Sequence, residues 1–303
     1  MKTLKLTNEV PERLDKVLAS MLDLSRSKLT KMIEKGEVLV DGKTANKKTQ
    51  VSRENKIEYH IEKPKIKLFK KQKTVELDII YEDKDVLVVN KPAGLLVHPT
   101  EISTDTTLRD ALVARNRKVK KVGDDEKRAG IVHRLDKFTS GVLITAKTQK
   151  AFEHLKAQFK ERKTTKEYTA LVHGTMPKPY DTITLTIGRS KSTGKMAARP
   201  ESQGGKSAIT HYEVVDQFPH HALLNVKIET GRTNQIRAHM FAIKHPIVGD
   251  PLYKQRDQKL MNIDRIFLHS RELTITLPSG ETKTFTAPIP KKLKEVLKSI
   301  PKL

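Results

Sequence analysis

Short apolar runs with the composition of β-strands follow one another between residues 75 and 290 of this chain. Most are separated by too few residues for a crossover helix, which parallel neighbours need and antiparallel neighbours do not. The clearest strand-like runs are EYTALVHG, TITLTI, AITHYEVV, ALLNVKIET, LTITLP and KTFTA. We therefore expect an α+β domain built on a mixed, mainly antiparallel sheet flanked by helices.

Helical periodicity predicts the flanking elements of this domain, which we assign to residues 75–300. The segment TQKAFEHLKAQFKER places Ala151, Phe152, Leu155 and Phe159 on one face, which should pack inward. Shorter helices are expected in TLRDALVAR, NQIRAHMFAI and PKKLKEVLKSI.

A smaller block covers residues 11–61 and has the pattern of two short helices followed by a hairpin. Gly36 is expected to end the second helix, and Asp41-Gly42 is typical of a two-residue hairpin turn. The side chains expected inside this block are Leu14, Val17, Leu18 and Met21 from the first helix and Leu24, Leu29, Met32 and Ile33 from the second.

The polar side of the second helix is basic, with Arg26, Lys28 and Lys31 among its residues. A solvated surface is one interpretation. Two short helices with an exposed basic face, followed by a hairpin, also resemble the alpha-L (S4-type) RNA-binding module. That resemblance implies that the three cations bind RNA. The segment EKPKIKLFKKQKT, residues 62–74, has six lysines and no helical period, which predicts a basic linker between the two blocks.

The overall charge points to a polyanionic partner. The net charge is +23 and the pI is near 9.9, which favours nucleic acid first and an anionic membrane surface second. No apolar run approaches the roughly 20 residues needed to cross a bilayer, and the first residues, MKTLKLTNEV, lack a signal-peptide core. The chain has no cysteine, which excludes disulfides, thiolate zinc sites and a cysteine nucleophile. We expect a cytoplasmic protein.

A cluster of chemically active side chains stands in IVHRLDKFTSGVLITA, where His133, Arg134 and Asp136 precede a strand-like run. A metal site would need convergent histidines or acids, and no such spacing is present. A kinase catalytic loop would need a GxGxxG loop and a DFG motif, which are missing, and a glycosidase would need two facing carboxylates. By itself, Asp136 is equally consistent with a local pair to Arg134 or a turn cap.

A second segment, IETGRTNQIRAHM, adds an arginine that needs an acid. Arg237 shares a predicted helix face with Ile236 and Met240, so its charge would be costly to bury without a carboxylate partner. Thr233 is expected to cap the helix, and Arg232 stands at its N-terminus, where anions are favoured. Sequence spacing does not show whether Arg237 and Asp136 meet.

The chain resembles the RluA family of pseudouridine synthases, most closely the RluD type. The resemblance runs from about residue 75 to residue 290 and rests on five motifs in the family's order: KPAGLLVHP (91–99), GIVHRLDKFTSGVLITAKT (130–148), KEYTALVHG (166–174), ETGRTNQIRAHM (229–240) and HPIVGDPLY (245–253).

This resemblance implies three catalytic residues. Asp136 matches the essential aspartate, Tyr168 matches the tyrosine that stacks on the target base and is implicated in removing the C5 proton, and Arg237 matches the basic partner of the aspartate. Whether Asp136 acts as nucleophile on the sugar or as base at C2′ stays open.

The resemblance and the helix-terminus argument together predict the substrate-binding residues. Ile236 matches an apolar residue that lines the base pocket, Arg134 matches an arginine that enters the RNA, and Arg232 and Asn234 flank them. Asn234 departs from the family, which often has histidine at that position.

The resemblance implies an enzyme that isomerises specific uridines to pseudouridine, in large-subunit (23S) ribosomal RNA, without a cofactor or metal. We expect a monomer whose partner is RNA and which does not bind membranes. The alternatives are a synthase acting on transfer RNA, a non-catalytic RNA-binding ribosome-assembly factor, and a nuclease, which would need clustered acids for magnesium.

Overall fold

The computed structural model describes residues 2–4, 6, 8–22, 26–59, 75–100, 103, 105–190, 193–255, 261 and 263–302. For residues 2, 26–28 and 31 it describes the backbone alone. The chain divides into two compact units, Met1–Lys71 and Gln72–Leu303. The predicted basic linker, residues 62–74, lies outside the described residues.

The first unit contains two helices and small antiparallel sheets. In its described part, one sheet has the strand order β1-β6-β3-β4, and β2 pairs with β5. The elements are β1 (Lys2–Leu4), β2 (Glu12–Arg13), α1 (Leu14–Met21), α2 (Arg26–Glu34), β3 (Val38–Val40), β4 (Lys43–Thr44), β5 (Gln50–Val51) and β6 (Ile57–Tyr59).

Local sequence patterns account for this unit. Asp41 and Gly42 both have positive φ, at 52° and 78°, and join β3 to β4 in the predicted two-residue turn. Gly36 ends α2 in a left-handed conformation, as expected. The predicted core is buried except for Met21, which is 38% exposed because α1 ends there, and Leu24, which lies outside the described residues. The other predicted core residues are Leu14, Val17, Leu18, Leu29, Met32 and Ile33.

The second unit is built on a nine-stranded sheet with the order β11-β15-β16-β10-β17-β9-β8-β7, and β18 pairs with β17. Among the described residues of this sheet, only the β17–β9 pair is parallel. The predicted α+β class and the mixed, mainly antiparallel sheet are therefore confirmed. The strands of this sheet are β7 (Ile79–Glu82), β8 (Val86–Lys91), β9 (Ser140–Ala146), β10 (Thr165–His173), β11 (Tyr180–Ile183), β15 (Thr210–Phe218), β16 (His221–Ile228), β17 (Leu268–Thr276) and β18 (Thr282–Thr286).

The described part of the second unit also contains a smaller sheet and four α-helices. Strands β13, β12 and β14 form the small sheet in that order. The remaining elements are α3 (Leu108–Arg115), α4 (Gln149–Lys160), β12 (Thr186–Arg189), β13 (Met196–Arg199), β14 (Lys206–Ser207), α5 (Gln235–Ala242) and α6 (Lys291–Ser299), with short 3-10 helices at Arg117–Lys121, Glu126–Arg128 and Glu201–Gln203.

The prediction of one strand over TITLTI is wrong. The run is divided into β11, which ends at Ile183, and β12, which begins at Thr186, and the two belong to different sheets. The β-forming composition is the same on both sides of the break, so local pattern could not show that the chain changes sheets there.

The middle of the large sheet is buried on both faces. Val86 and Val88 point to one face of β8, where Phe152 and Leu155 of α4 pack, while Leu87 points to the other. All of β9 is buried. This double burial explains the continuous apolar runs of β8 and β9, which lack the alternation of a half-exposed strand.

Three neighbouring strands bring the HRLD and KEYTALVHG segments of the second unit to one place. Strand β17 lies between β9 and β10, so that Ser270 is paired with Gly141 on one side and with Tyr168 on the other. A Cβ atom at Gly141 would lie 2.0 Å from the Ser270 carbonyl oxygen, so no other residue fits this approach. The start of β9, which follows the HRLD segment, is thereby fixed beside Tyr168.

Candidate active site

Asp136 lies in the turn that leads into β9. The Thr139 amide donates to the Asp136 carbonyl oxygen at 3.1 Å, and the carboxylate is partly exposed. Below this turn, the fully buried Lys91 amine donates to the carbonyl oxygens of Pro92, Leu95 and Lys137. Burial lowers the pKa of Lys91 to about 7, against the attraction of the nearby Asp136 charge. Lys91 thus links the KPAGL loop to the HRLDK turn through hydrogen bonds to their backbone carbonyl oxygens.

Arg237 projects from α5 and contacts Asp136, although the two are 101 residues apart in sequence. Its Nη1 atom donates to Asp136 Oδ2 at 3.1 Å. Its Nε and Nη2 atoms donate to the two oxygens of Asp250 at 2.7 and 2.9 Å. Burial would lower the pKa of the guanidinium, but Asp250 and Asp136 together raise it above its ordinary value. Arg237 is therefore charged and held in one orientation by two carboxylates.

Asp250 is a site residue that the sequence reasoning missed. Its side chain is completely buried, and its Oδ1 atom also accepts the backbone amides of Leu252 and Tyr253. A bidentate arginine–carboxylate pair fixes both the position and the plane of the guanidinium. The residue stands in HPIVGDPLY, so its motif was visible, but nothing in the spacing connects it with Arg237.

Asn234 takes the N-cap position of α5, so the prediction that Thr233 caps this helix is wrong. Asn234 has a left-handed backbone with φ at 56°, a conformation that asparagine tolerates better than most residues. Its Oδ1 atom accepts from Arg237 Nη1 at 3.0 Å, the same nitrogen that contacts Asp136. Asn234 therefore helps to orient the guanidinium toward the Asp136 carboxylate.

Tyr168 lies on β10 at a bulge, where the register with β17 shifts between Glu167 and Tyr168. Such irregularities redirect side chains near functional sites. Tyr168 is buried, and burial raises the pKa of its hydroxyl well above the ordinary value, with a further increase from the Asp136 charge. The phenol is therefore neutral at physiological pH.

One cavity of about 80 Å³ brings the predicted site residues together. Thr139 also lines it, and its buried hydroxyl forms no hydrogen bond with the described residues. The predicted catalytic and substrate-binding residues in its wall are Arg134, Asp136, Tyr168, Arg232, Asn234, Ile236 and Arg237.

Arg134 lies at the mouth of this cavity and is exposed. Its Nη1 atom is 3.1 Å from His98 Nε2, while His98 Nδ1 is 2.9 Å from the Pro99 carbonyl oxygen. The carbonyl requires a proton on Nδ1, so Nε2 accepts from the arginine and the imidazole is neutral. Burial lowers the pKa of His98, in agreement with that state. The arginine is thus held by a neutral partner beside the cavity.

The candidate RNA-binding residues of the first unit lie on α2, but the side chains of Arg26, Lys28 and Lys31 are outside what the structure describes. Among the described residues, no group of three or more histidines, cysteines or acids is arranged to hold a metal ion. Within the same ranges, no helix has the length and hydropathy of a membrane span.

Comparison with known proteins identifies the family. The family model described as RNA pseudouridylate synthase matches residues 85–242, which include Asp136, Tyr168 and Arg237. The chain belongs to the RNA pseudouridylate synthase family. It is therefore an RNA pseudouridine synthase, and the S4 domain model matches residues 12–57 of its first unit. The expected RluA-type resemblance is confirmed.

Relatives of this synthase match almost its whole length. It is 38% identical over 306 residues to ribosomal large subunit pseudouridine synthase D of Escherichia coli (strain K12), covering 96% of this chain and 91% of the relative. It is 36% identical over 293 residues to an RNA pseudouridine synthase of Bacillus subtilis (strain 168), covering 96% and 95%. The structure of human RNA pseudouridylate synthase domain containing 1 superposes with a TM-score of 0.59 at 28% identity, covering 77% of this chain and 99% of the human chain.

Proposed function

We propose that this enzyme converts specific uridines of large-subunit ribosomal RNA to pseudouridine, with Asp136 as its catalytic carboxylate. The observation that carries the proposal is the contact of Asp136 with Arg237 in a cavity that Tyr168 and Ile236 also line. The substrate class is supported by relatives named ribosomal large subunit pseudouridine synthase D. The enzyme would act as a monomer in the cytoplasm, where ribosomes are assembled.

The chemistry requires one carboxylate that stays ionised. Pseudouridine formation breaks the N1–C1′ bond, turns the uracil and joins C5 to C1′, while a proton leaves C5 and one returns to N1. Asp136 can attack C1′ or remove a proton at C2′, and either role needs its charged form. Arg237 stabilises that charge at 3.1 Å and is itself fixed by Asp250, so the carboxylate has a defined direction.

The other residues around the cavity have roles that follow from their chemistry. Tyr168 is a neutral aromatic ring, which suits a stacking surface for the loosened base and a hydroxyl that relays the C5 proton. Ile236 gives the cavity an apolar wall. The target nucleotide must leave its helix to reach this site, at a cost of a few kcal/mol, and Arg134 at the mouth can occupy the space that it vacates.

The module of residues 11–61 would supply RNA affinity and site choice. Its match to the S4 domain and the basic sequence of α2 support that role, with Arg26, Lys28 and Lys31 as the RNA contacts. We place the catalytic domain at residues 75–300.

The decisive experiment maps pseudouridine chemically in large-subunit ribosomal RNA and in transfer RNA after incubation with wild type and Asp136→Asn. We expect conversion in the ribosomal RNA, and a fall of at least about 10³-fold in the variant with RNA binding retained. Asp124→Asn removes an exposed carboxylate and should be fully active. Conversion in transfer RNA alone would overturn the substrate assignment, and an active Asp136→Asn would overturn the catalytic one.

A further inference from the structure

A second and larger cavity, of about 430 Å³, adjoins the Asp136 cavity. The two share several wall residues, including Arg134, Tyr168 and Arg232. This volume falls within the range of roughly 300–1,000 Å³ that is typical of small-molecule sites. The proposed chemistry takes place at Asp136, which lines the smaller cavity and not the larger one.

Six cations line this larger cavity, and within the described residues none of them forms an ion pair with a carboxylate. Elsewhere in the described chain, lysines and arginines commonly pair with acids at the surface. The acid in the cavity wall, Glu229, directs its Oε1 atom to His211 Nε2 at 2.9 Å. The cations are Arg128, Arg134, Lys160, Arg162, Lys166 and Arg232.

Lys166 is the cation that the protein buries. Its residue is only 7% exposed, and its Nζ atom has one hydrogen bond among the described residues, to the Glu229 carbonyl oxygen at 3.3 Å. An ammonium group carries three donors, so most of its capacity faces the cavity unused. Burial lowers the pKa of Lys166 to about 8, with a contribution from the Arg162 charge and against the attraction of the Glu229 carboxylate, which forms no ion pair with it. A buried charge left so poorly compensated indicates an anionic ligand.

The backbone conformation of Arg162 also indicates that this cavity binds an anionic ligand. It occupies the position after the α4 cap Glu161, with φ at 60°, and the Lys163 amide donates to Gln158 O at 2.9 Å. This is the left-handed position of a helix-ending motif, where glycine or asparagine is usual. An arginine there adopts an unfavourable backbone while its side chain lines the cavity, so the fold does not explain the choice of residue.

The uncharged wall of the cavity suits a nucleotide better than a bare ion. Phe159 lines it and stacks on His133, with ring centroids 4.5 Å apart and planes 20° apart. Burial lowers the pKa of His133 to about 3, so this stacked pair is neutral. Aromatic surfaces beside cations are the usual arrangement for binding single-stranded RNA.

From this arrangement, we propose that the larger cavity is a subsite for an RNA nucleotide flanking the target uridine, with the phosphodiester bound by Lys166 and Arg162. The proposal rests on the proposed function, because it takes the adjoining cavity as the place of the target nucleotide. In it, Lys166 anchors the strand and takes no part in bond making or breaking.

The test measures RNA affinity against salt, from about 50 to 200 mM, for the full chain and a large-subunit ribosomal RNA transcript. Lys166→Met should weaken binding about tenfold and reduce the slope of log K against log salt by about 0.7, the value for one lost phosphate contact on a single strand. Lys166→Arg should restore most of the slope. In Lys166→Met, the KM for RNA should rise by about the same factor, since the anchor acts in binding.

Two further variants keep the result interpretable. Arg162→Gly suits the left-handed backbone, so it should fold as well as wild type and still lower the salt slope. Lys178→Met removes an exposed, ion-paired lysine on the edge of the sheet and should leave the slope unchanged. Unchanged affinity and slope in both Lys166→Met and Arg162→Gly would overturn the subsite.

Two controls distinguish the subsite proposal from a failure of the proposed substrate and from a site for a small free anion. Pseudouridine is mapped in the same wild-type samples: conversion by wild type together with unchanged slopes would reject the subsite alone, whereas no conversion in ribosomal RNA would reject the proposed substrate. Inorganic phosphate, titrated at constant ionic strength, represents a free anion. If Lys166→Met lost phosphate binding but kept RNA affinity, the cavity would be a site for a small anion and the nucleotide proposal would be wrong.

Discussion

At the scale of single residues, the candidate active site depends on how the Arg237 guanidinium is shared among its partners. Arg237 offers Nη1 to Asp136 and Asn234, and its other nitrogens to Asp250. Because Asp250 holds the guanidinium through two bonds, Asp136 meets a donor that is already in place. Preorganised charge of this kind needs no rearrangement during the reaction.

Replacing Asp250 tests this arrangement. Asp250→Asn should lower kcat by about 10- to 100-fold with little change in KM, because Arg237 loses its fixed orientation while the base pocket remains. Stability should fall by about 3 kcal/mol, since a buried pair is broken. Single-turnover kinetics and urea unfolding measure the two effects. Asp264→Asn, at an exposed ion pair, should change neither, and an unchanged kcat in Asp250→Asn would show that the clamp is dispensable.

His133 gives a prediction for pH. Its Nε2 atom accepts from the Ile144 amide at 3.1 Å, and its pKa is lowered to about 3 by burial. The unfolded chain therefore binds a proton between about pH 6.5 and 3 that the folded protein does not, so stability falls as pH falls through that window. His133→Gln keeps a hydrogen-bond acceptor but cannot titrate. As the pH is lowered through this window, the free energy of unfolding of the variant should therefore fall less steeply than that of wild type, by up to about 1.4 kcal/mol per pH unit. Urea unfolding at pH 7 and pH 5 measures this, and equal pH dependence in both proteins would contradict it.

At the scale of secondary-structure elements, the site is assembled by the strand order β10-β17-β9. The central strand brings the HRLD turn before β9 next to Tyr168 on β10, and α5 adds Arg237. These elements come from distant parts of the chain. Their close approach depends on small residues at particular positions, of which Gly141 is the tightest.

Gly141→Ala should destabilise the protein by about 3 kcal/mol or more and reduce activity in the fraction that folds. The new Cβ would overlap the Ser270 carbonyl oxygen, and φ at 115° is unfavourable for alanine. Gly280→Ala is the matched control, because its φ is also positive, at 92°, but nothing lies within 4 Å of the added atom. Thermal unfolding of both variants separates overlap from backbone preference; equal losses would mean that the β9–β17 approach is not critical.

At the scale of the whole molecule, the chain has two compact units, and the proposed function assigns RNA capture to the first and chemistry to the second. The net charge of +23 favours association with RNA, while the carboxylate proposed as catalytic, Asp136, lies in a partly buried cavity. The S4 match and the synthase match cover different units, which suggests that affinity and chemistry can be changed separately.

Deletion of residues 1–61 should therefore weaken RNA binding or change which uridines are modified more than it slows the chemical step. A finer variant, Arg26→Gln with Lys28→Gln and Lys31→Gln, should lower the salt slope by up to about 2, for three lost phosphate contacts. Changing Lys178, Lys283 and Lys292 to glutamine removes the same charge from ion-paired positions and should have a smaller effect. Equal affinity and equal sites after the deletion would show that the first unit does not bind RNA.

The fold class, most element positions and the motifs that indicate the family could all be predicted from the amino-acid sequence. Periodicity, turn residues and motif order are local properties, so they could be recognised without coordinates: the hairpin at Asp41-Gly42 and the core face of α4 are examples. Contacts between distant residues are set by the tertiary structure. In it, Arg237 contacts both Asp136 and Asp250. Asn234 occupies the N-cap position that was predicted for Thr233, and Lys166 is buried beside a second cavity. These contacts follow from the order in which strands pair across the sheet, and local pattern does not encode that order because the same β-forming run can pair with several partners.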